Sequence, residues 1–232
     1  MEQQVDYYAG NDKMYVATDC IVFGFSNNEL RLLVFPRRVE PDKGTWSLIG
    51  SFVKLDEDVD AAAERVLHEI TGLKDVYFDQ LRTYGKANRD SGYRCISIAQ
   101  YALIRIDEHD KELVESHGAY WYRLDELPEL CLDHGEMVGA ALEELKRKAR
   151  FQPIGFELLP EKFTLPQLLS LYESIYRQEL DSRNFRKKIL SLNVLTKLNE
   201  KDKTTSKKGA YLYRFNHENY NRLLKSGYNF EI

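Results

Sequence analysis

The segment 46-WSLIGSFVKLDEDVDAAAERVLHEITGL-73 crowds Asp56, Glu57, Asp58, Glu64 and Glu69 around Arg65. Carboxylates at this density can hold a hard divalent cation such as Mg2+, which takes its oxygens from carboxylates, phosphate and water. A cation so held can polarise a water for attack on phosphorus. The same acids have a plainer use, because acidic side chains in the first turns of a helix favour its dipole and solvate its surface. The choice turns on which of them share a face. Asp60 to Thr71 reads as a helix, with Asp58 or Asp60 as N-cap and Gly72 at its C-terminal stop. On that helix Glu69 stands with Val66 three positions before it and Ile70 beside it, one carboxylate between two hydrocarbon side chains. That is a thin site for Mg2+, so neither a metal nor a cofactor is expected.

A second group of residues is basic. In 181-DSRNFRKKIL-190, Asp181 is placed to cap a helix that runs through 182–192. Phe185, Ile189 and Leu192 fall at i, i+4 and i+7, a face for the core. Ser182, Arg183, Arg186 and Lys187, with Asn184 beside them, then point largely away from it. A helix with that outer face suits the major groove of DNA, where Arg pairs two acceptors on guanine. Lys201, Lys203, Lys207 and Lys208 suit backbone phosphates. Residues 181–208 hold 9 Lys+Arg against 3 Asp+Glu, a net of +6. A charge run is usually a solvated face, but this one falls on the elements that would meet DNA.

These groups need elements to position them. Tyr15–Phe25 and Leu30–Phe35 are rich in β-branched and aromatic residues, and Ser-Asn-Asn-Glu at 26–29 joins them into a β-hairpin. Residues 46–53 read as a strand, Cys95–Ile106 as a long one and Tyr120–Leu124 as a shorter one. Glu136–Lys148 reads as a helix. The order β-β-β-α-β-β-α fits a mixed sheet flanked by helices. The segment 151-FQPIGFELLPEK-162 has two prolines and little periodicity, and it is taken as the boundary between units at 1–152 and 153–232. Beyond it, Thr164 caps a helix to about Arg177, with Leu165, Leu168, Leu169, Tyr172 and Ile175 at helical spacing. Residues 194–215 read as two strands around a lysine-rich tip. Together they make a helix-turn-helix with a wing. Residues 216–232 read as a short tail.

The whole chain bounds these readings. Its 232 residues fit a medium unit plus a small one, and 43% hydrophobic with 30% charged residues is ordinary for a globular protein. Net charge is −4, but residues 1–150 carry 19 Lys+Arg against 28 Asp+Glu and residues 151–232 carry 14 against 9. Opposite signs suggest two units with different partners. The N-terminus lacks a signal-peptide pattern and no apolar run approaches a membrane span, so a cytoplasmic protein with no membrane partner is expected. Cys20, Cys95 and Cys131 are odd in number and far apart, which suits buried thiols in a reducing compartment.

From Ser51 to Leu73 the chain resembles the Nudix hydrolase signature G-x5-E-x7-R-E-U-x-E-E-x-G-U, where U is bulky and aliphatic. Ser51 falls on the Gly and Glu57 on the first Glu, and Arg65, Leu67, Glu69, Gly72 and Leu73 match. Val66 and Ile70 stand where the family has Glu. The stretch 120-YWYRLDELPEL-130 and Asp133-His134 resemble that family's C-terminal strand and helix. The resemblance implies an α+β fold, a Nudix-like α/β/α sandwich around a mixed sheet. It implies that Glu57 and Arg65 keep a loop-to-helix salt bridge. It also implies that the ligands for the Mg2+ ions that activate water in working members are missing, so no catalytic residue is assigned. The loops 37-RRVEPDKG-44 and 84-YGKANRDSGYR-94 lie where family loops line the cleft, which makes Arg37, Arg38, Lys54, Arg89, Asp90 and Arg94 candidates to grip hydroxyls or phosphates.

The stretch 163-FTLPQLLSLYESIY-176 followed by 181-DSRNFRKKIL-190 resembles the C-terminal domain of Nudix-related transcriptional regulators, which fuse a degenerate Nudix domain to a winged helix. DCIVFGF, WSLIGSFV and RNFRKK look most like the branch that controls L-arabinose use in Bacteroidetes. Gly50-Ser51 departs from the Gly-Gly common in relatives. The resemblance implies a homodimer that binds double-stranded operator DNA and responds to a small effector, a sugar or an ADP-ribose-type nucleotide. Two other functions stay open: a working Nudix hydrolase of a nucleoside or sugar diphosphate, and a ligand-independent DNA-binding or scaffold protein.

Overall fold

The structure is a computed structural model that describes residues 9–106, 108–204 and 208–225. Nine consecutive residues of β1 (Tyr15–Ser26), Ala17 to Phe25, are buried, so this strand is covered on both faces. It turns back into β2 (Glu29–Pro36) through Asn27 and Asn28, both at positive φ (53° and 61°). Asparagine tolerates that left-handed backbone in a tight two-residue hairpin. β3 (Trp46–Ser47), β4 (Ile49–Phe52), β5 (Asp79–Tyr84), β6 (Cys95–Arg105) and β7 (Tyr120–Arg123) complete a seven-stranded sheet in the order β3-β2-β1-β6-β5, with β4 also on β1 and β7 also on β2. The β1–β6 pair is parallel and the other pairs are antiparallel, so the sheet is mixed as expected.

Helices cover both faces. Cys20, Val22, Leu33 and Phe35 pack with Ala63, Val66 and Leu67 of α1 (Val59–Thr71). Ile21, Phe23, Leu32 and Val34 pack instead with Met137, Ala141 and Leu145 of α3 (His134–Phe151). Asp58, not Asp60, is the α1 N-cap: its carboxylate accepts from the Ala61 N–H at 2.9 Å, and Gly72 closes the helix at φ 78°.

In the N-terminal unit three elements depart from the sequence expectation. The stretch 46–53 is two strands, because the Leu48 N–H donates to His134 Nδ1 (3.1 Å) and so leaves the ladder. Asp79–Tyr84 is a strand without the apolar alternation that would announce one, since four of its six residues are charged or polar. α2 (Glu108–Ser116) has no counterpart in the sequence reading; Leu113 and Val114 are its only aliphatic residues.

The C-terminal unit holds α4 (Leu165–Tyr176), α5 (Ser182–Ser191), α6 (His217–Lys225) and a three-stranded sheet in the order β8-β10-β9, from β8 (Phe163–Thr164), β9 (Leu195–Asp202) and β10 (Ala210–Phe215). Thr164 and Gln167 form a capping box on α4: the Gln167 N–H donates to Thr164 Oγ1 (3.3 Å) and the Thr164 N–H to Gln167 Oε1 (2.8 Å). The expected tail is α6 over its described part. Its Tyr220 and Leu223 pack on the core, and Asn216 Oδ1 accepts from the Asn219 N–H at 2.9 Å.

The segment 153–162 is no free linker. Leu158 and Leu159 are buried, and the Ile154 N–H donates to Tyr172 Oη (3.1 Å). One apolar cluster runs from Phe23 and Met137 to Leu168, Tyr172, Ile175 and Phe185, so the two units share a core. Truncating a member of α4 should therefore weaken the whole chain. We expect Ile175→Ala, at a site with 0% exposure, to cost about 3 kcal/mol and to shift one cooperative melting transition. Two separate transitions, with the first alone shifted, would show that the units unfold independently.

Candidate effector cleft and DNA-binding surface

Arg65 ties the loop at 53–58 to α1. It donates Nε to Glu57 Oε2 (2.8 Å), Nη2 to Glu57 Oε1 (2.6 Å) and to Phe52 O (3.1 Å), and Nη1 to Glu69 Oε2 (3.0 Å). Glu57 Oε1 also accepts from the Lys54 N–H at 2.9 Å. The loop 53–58 is thus strapped to α1 by one guanidinium, as the resemblance implied. The Arg65 bonds and the Lys54 amide hold the Glu57 carboxyl down to about 2. Glu57 in turn raises the Arg65 pKa, with Glu69 adding to it against a smaller opposing effect of burial.

Val66 has no exposed surface and packs among Cys20, Val22, Ile49 and Leu67; Ile70 is half-buried against the same cluster. Glu69 is left with Arg65 as its partner. Among the described residues no group of three or more His, Cys, Asp and Glu side chains is arranged to hold a metal ion. Ser51 is exposed on β4, so its hydroxymethyl group meets open space. The constrained position is Gly50, where a Cβ would run into Asp19 Oδ1 and lie 2.9 Å from Thr18 O.

The six cleft candidates separate into two groups. Arg89 is internal. Its side chain is 2% exposed, it makes a two-pronged bond to Asp133 (2.9 and 2.6 Å) and it lies 3.4 Å from Asp19 Oδ2. Burial works against its charge, but the bonds to Asp133 and the nearby Asp19 carboxylate outweigh that and raise its pKa. Asp19 also accepts from Ser97 Oγ (2.6 Å) and faces His134 Nε2 at 3.5 Å. With the Leu48 N–H on Nδ1, the His134 proton is placed on Nε2 towards Asp19. Arg89 therefore ties the 84–94 loop to β1 and α3, and its guanidinium is not open to a ligand, which corrects its place among the gripping residues. The other five lie nearer the surface. Arg37 donates to Pro41 O (2.6 Å), Arg38 to His117 O and Arg94 to Lys86 O (3.2 Å); Asp90 accepts from the Gly92 N–H (2.8 Å), and the Lys54 side chain is exposed. An exposed aromatic edge that the sequence reading missed lies close in sequence to Lys54 and Arg94. Tyr15, Phe52 and Tyr93 lie with ring centroids 4.9 and 5.2 Å apart, all three at least 47% exposed. Only the sheet brings these three distant residues together.

On the C-terminal unit, Phe185 and Ile189 are buried, and Ser182, Arg183, Asn184, Arg186 and Lys187 are exposed on α5. Asp181 caps the helix through the Asn184 N–H (2.7 Å). Among the described residues Arg183, Arg186 and Lys187 have no carboxylate partner. Lys201, Lys203 and Lys208 are exposed at the end of the β9–β10 hairpin. Lys207, the fourth lysine expected there, lies outside the described residues.

Comparison with known proteins agrees with this layout. A family model described as the NUDIX domain matches residues 14–140, and one described as the NrtR DNA-binding winged helix domain matches 155–215. A relative from Acinetobacter baylyi, named ADPR responsive transcriptional repressor NtrR, is 30% identical over 209 residues, 88% of this chain and 83% of the relative. The crystal structure of Shewanella oneidensis NrtR complexed with a 27mer DNA has the same fold, with a TM-score of 0.79 at 24% identity, covering 93% of this chain and 97% of that one. The NUDIX domain of Shewanella oneidensis NrtR, in a cocrystal structure with ADP ribose, matches 59% of this chain and 91% of its own at 25% identity and a TM-score of 0.52.

Two outcomes test the geometry. Val66→Glu would place a carboxylate among Cys20, Val22 and Leu67, and it should cost about 3 kcal/mol or more without making stability depend on Mg2+. A variant as stable as the parent, and further stabilised by Mg2+, would mean that this helix face is open. Glu57→Gln should lower the melting temperature at neutral pH. The Glu57 pKa is depressed in the folded chain, so its contribution exists above the unfolded value and fades as pH falls from about 4.5 towards about 2. A gap between variant and parent that stayed constant down to that pH would argue against the strap.

Proposed function

This chain belongs to the Nudix family, in the group whose Nudix domain is joined to an NrtR-type winged helix, and from that premise we propose that it is a ligand-responsive transcription regulator. The N-terminal unit, taken as 1–152, binds a small molecule, and the C-terminal unit, taken as 153–232, binds double-stranded operator DNA. The observation that carries this proposal is the outer face of α5, which turns Arg183, Arg186 and Lys187 to solvent without carboxylate partners on a unit that matches the winged-helix model. Arginine there can read guanine in the major groove.

The effector most in keeping with the relatives is an ADP-ribose-type nucleotide. The Acinetobacter baylyi protein is named for its response to ADP-ribose, and the Shewanella oneidensis NUDIX domain was crystallised with it. L-arabinose rests on the resemblance of three short stretches, and the relatives reported above add nothing to it. Arg37, Arg38, Lys54, Asp90 and Arg94 are assigned to the cleft mouth. Hydrolysis is not assigned, because Val66 is built into the core where an active member would place a carboxylate. A homodimer in the cytoplasm, each copy offering one α5 to a half-site, fits this function. Among the described residues no helix is long and apolar enough to cross a membrane.

The shared core gives a route between effector and operator. An effector can change DNA affinity only by as much as its own affinity differs between the two states of the chain. Fluorescence anisotropy at fixed salt, on DNA from upstream of the gene and its neighbours, tests the proposal with ADP-ribose, with L-arabinose and with neither. We expect tight binding to one fragment and a shift with ADP-ribose. Arg183→Ala should weaken that binding by about 1–3 kcal/mol. No specific binding, together with Mg2+-dependent breakdown of ADP-ribose, would replace this function with that of a hydrolase.

A further inference from the structure

The wing carries a feature that its sequence conceals. In β10, Tyr211 and Tyr213 are two apart and should share a face. Tyr213 is buried at 5% exposure, whereas Tyr211 is 41% exposed. The ladder is irregular at this point. Tyr211 pairs with Lys201 and Tyr213 with Lys197, so four residues of β9 pass opposite two of β10, and the register shifts between them. Bulges of this kind re-aim side chains. Here the bulge brings two lysines of one strand onto one exposed ring: Lys197 Nζ lies 3.6 Å from the Tyr211 centroid and Lys201 Nζ 4.6 Å.

Two ammonium groups gathered on one ring repel each other, and the ring's negative face offsets this only in part. The carboxylates nearby are engaged elsewhere. Glu200 pairs with Lys162 (2.8 Å), Glu161 with Arg214 (2.9 Å), and Asp202 accepts from the Thr204 hydroxyl and N–H (2.7 and 2.8 Å). Among the described residues neither Lys197 nor Lys201 has an anionic partner.

We propose that Lys197, Tyr211 and Lys201 form a clamp for one phosphodiester group of the DNA backbone. This rests on the DNA-binding function proposed above and extends it, placing a wing contact on the bulged strand face as well as on the lysine-rich tip. Both ammonium groups would meet the phosphate, and the Tyr211 ring holds each of them in place. The contact is indifferent to base sequence and positions the unit for readout by α5.

The test uses the full chain and a random-sequence duplex of about 25 base pairs, titrated by anisotropy between about 50 and 200 mM salt. The double variant Lys197→Gln, Lys201→Gln should lower the slope of log affinity against log salt by about 0.9, the value for one phosphate, where two independent contacts would lower it by about 1.8. Tyr211→Leu removes no charge, yet it should weaken binding about threefold to fivefold by releasing the lysines. Tyr211→Phe should bind as the parent does. Melting temperatures unchanged among these exposed-site variants would show that each folds. A double variant with the parent's slope would overturn the clamp, and so would a loss of about 1.8 with Tyr211→Leu silent. If Arg183→Ala weakens operator binding while all the wing variants bind normally, the clamp alone fails. A parent chain that binds no DNA fails both.

Discussion

β1 is buried on both faces, with β2 buried beside it along most of its length, and the rest of the chain is arranged to cover them. Ala17 to Phe25 is buried without a break, so a single helical layer could not satisfy the sheet. α1 covers one face and α3 the other, and α4 of the C-terminal unit joins the cluster on the α3 side. Apolar burial on this scale dominates folding, and here it also fixes the relation between the two functional surfaces. The unit that carries α5 is bonded through Tyr172 and Ile154 to the segment leaving α3.

The same burial determines the chemistry of α1. In a helix of this kind a carboxylate at position 66 would have to reach solvent, but here that position faces Cys20 and Val22. Once Val66 became part of the core, the metal face lost more than a ligand; it lost the polar environment that a ligand would need. Arg65 and Glu57 have another task. They hold the loop at 53–58 against the helix, a task independent of catalysis. Glu69 then serves as a second acceptor for Arg65.

Polar interactions supply precision where the core supplies cohesion. Arg89 illustrates the difference. It is buried with a two-pronged bond to Asp133 and a carboxylate of β1 within reach, and this geometry defines where the 84–94 loop can lie. Gly50 completes the arrangement, since a side chain there would displace Asp19. The 84–94 loop therefore takes its position from a buried network, and Asp90 and Arg94 are among the residues that the network leaves outside.

The sequence by itself determined what depends on local order. The spacing of Phe185 and Ile189 fixed the buried face of α5. Thr164 and Asp181 marked helix starts, Asp58 or Asp60 marked another, and the apolar run at 15–25 marked a strand of a hairpin. The motif register placed Val66 and Ile70 where carboxylates were missing. These features depend on neighbours within a few positions, so a linear pattern suffices. Contacts between distant segments were decided only by the tertiary structure. Nothing in the string placed Arg89 against Asp133 and not in the cleft, or joined Tyr15, Phe52 and Tyr93 into one edge. The strand at 79–84 and α2 escaped notice because their pairing and packing partners, not their own periodicity, make them regular. The meeting of Lys197 and Lys201 on Tyr211 follows from a register shift in the ladder. Register is set by which strands pair and how they twist, and that is known only once the chain has folded.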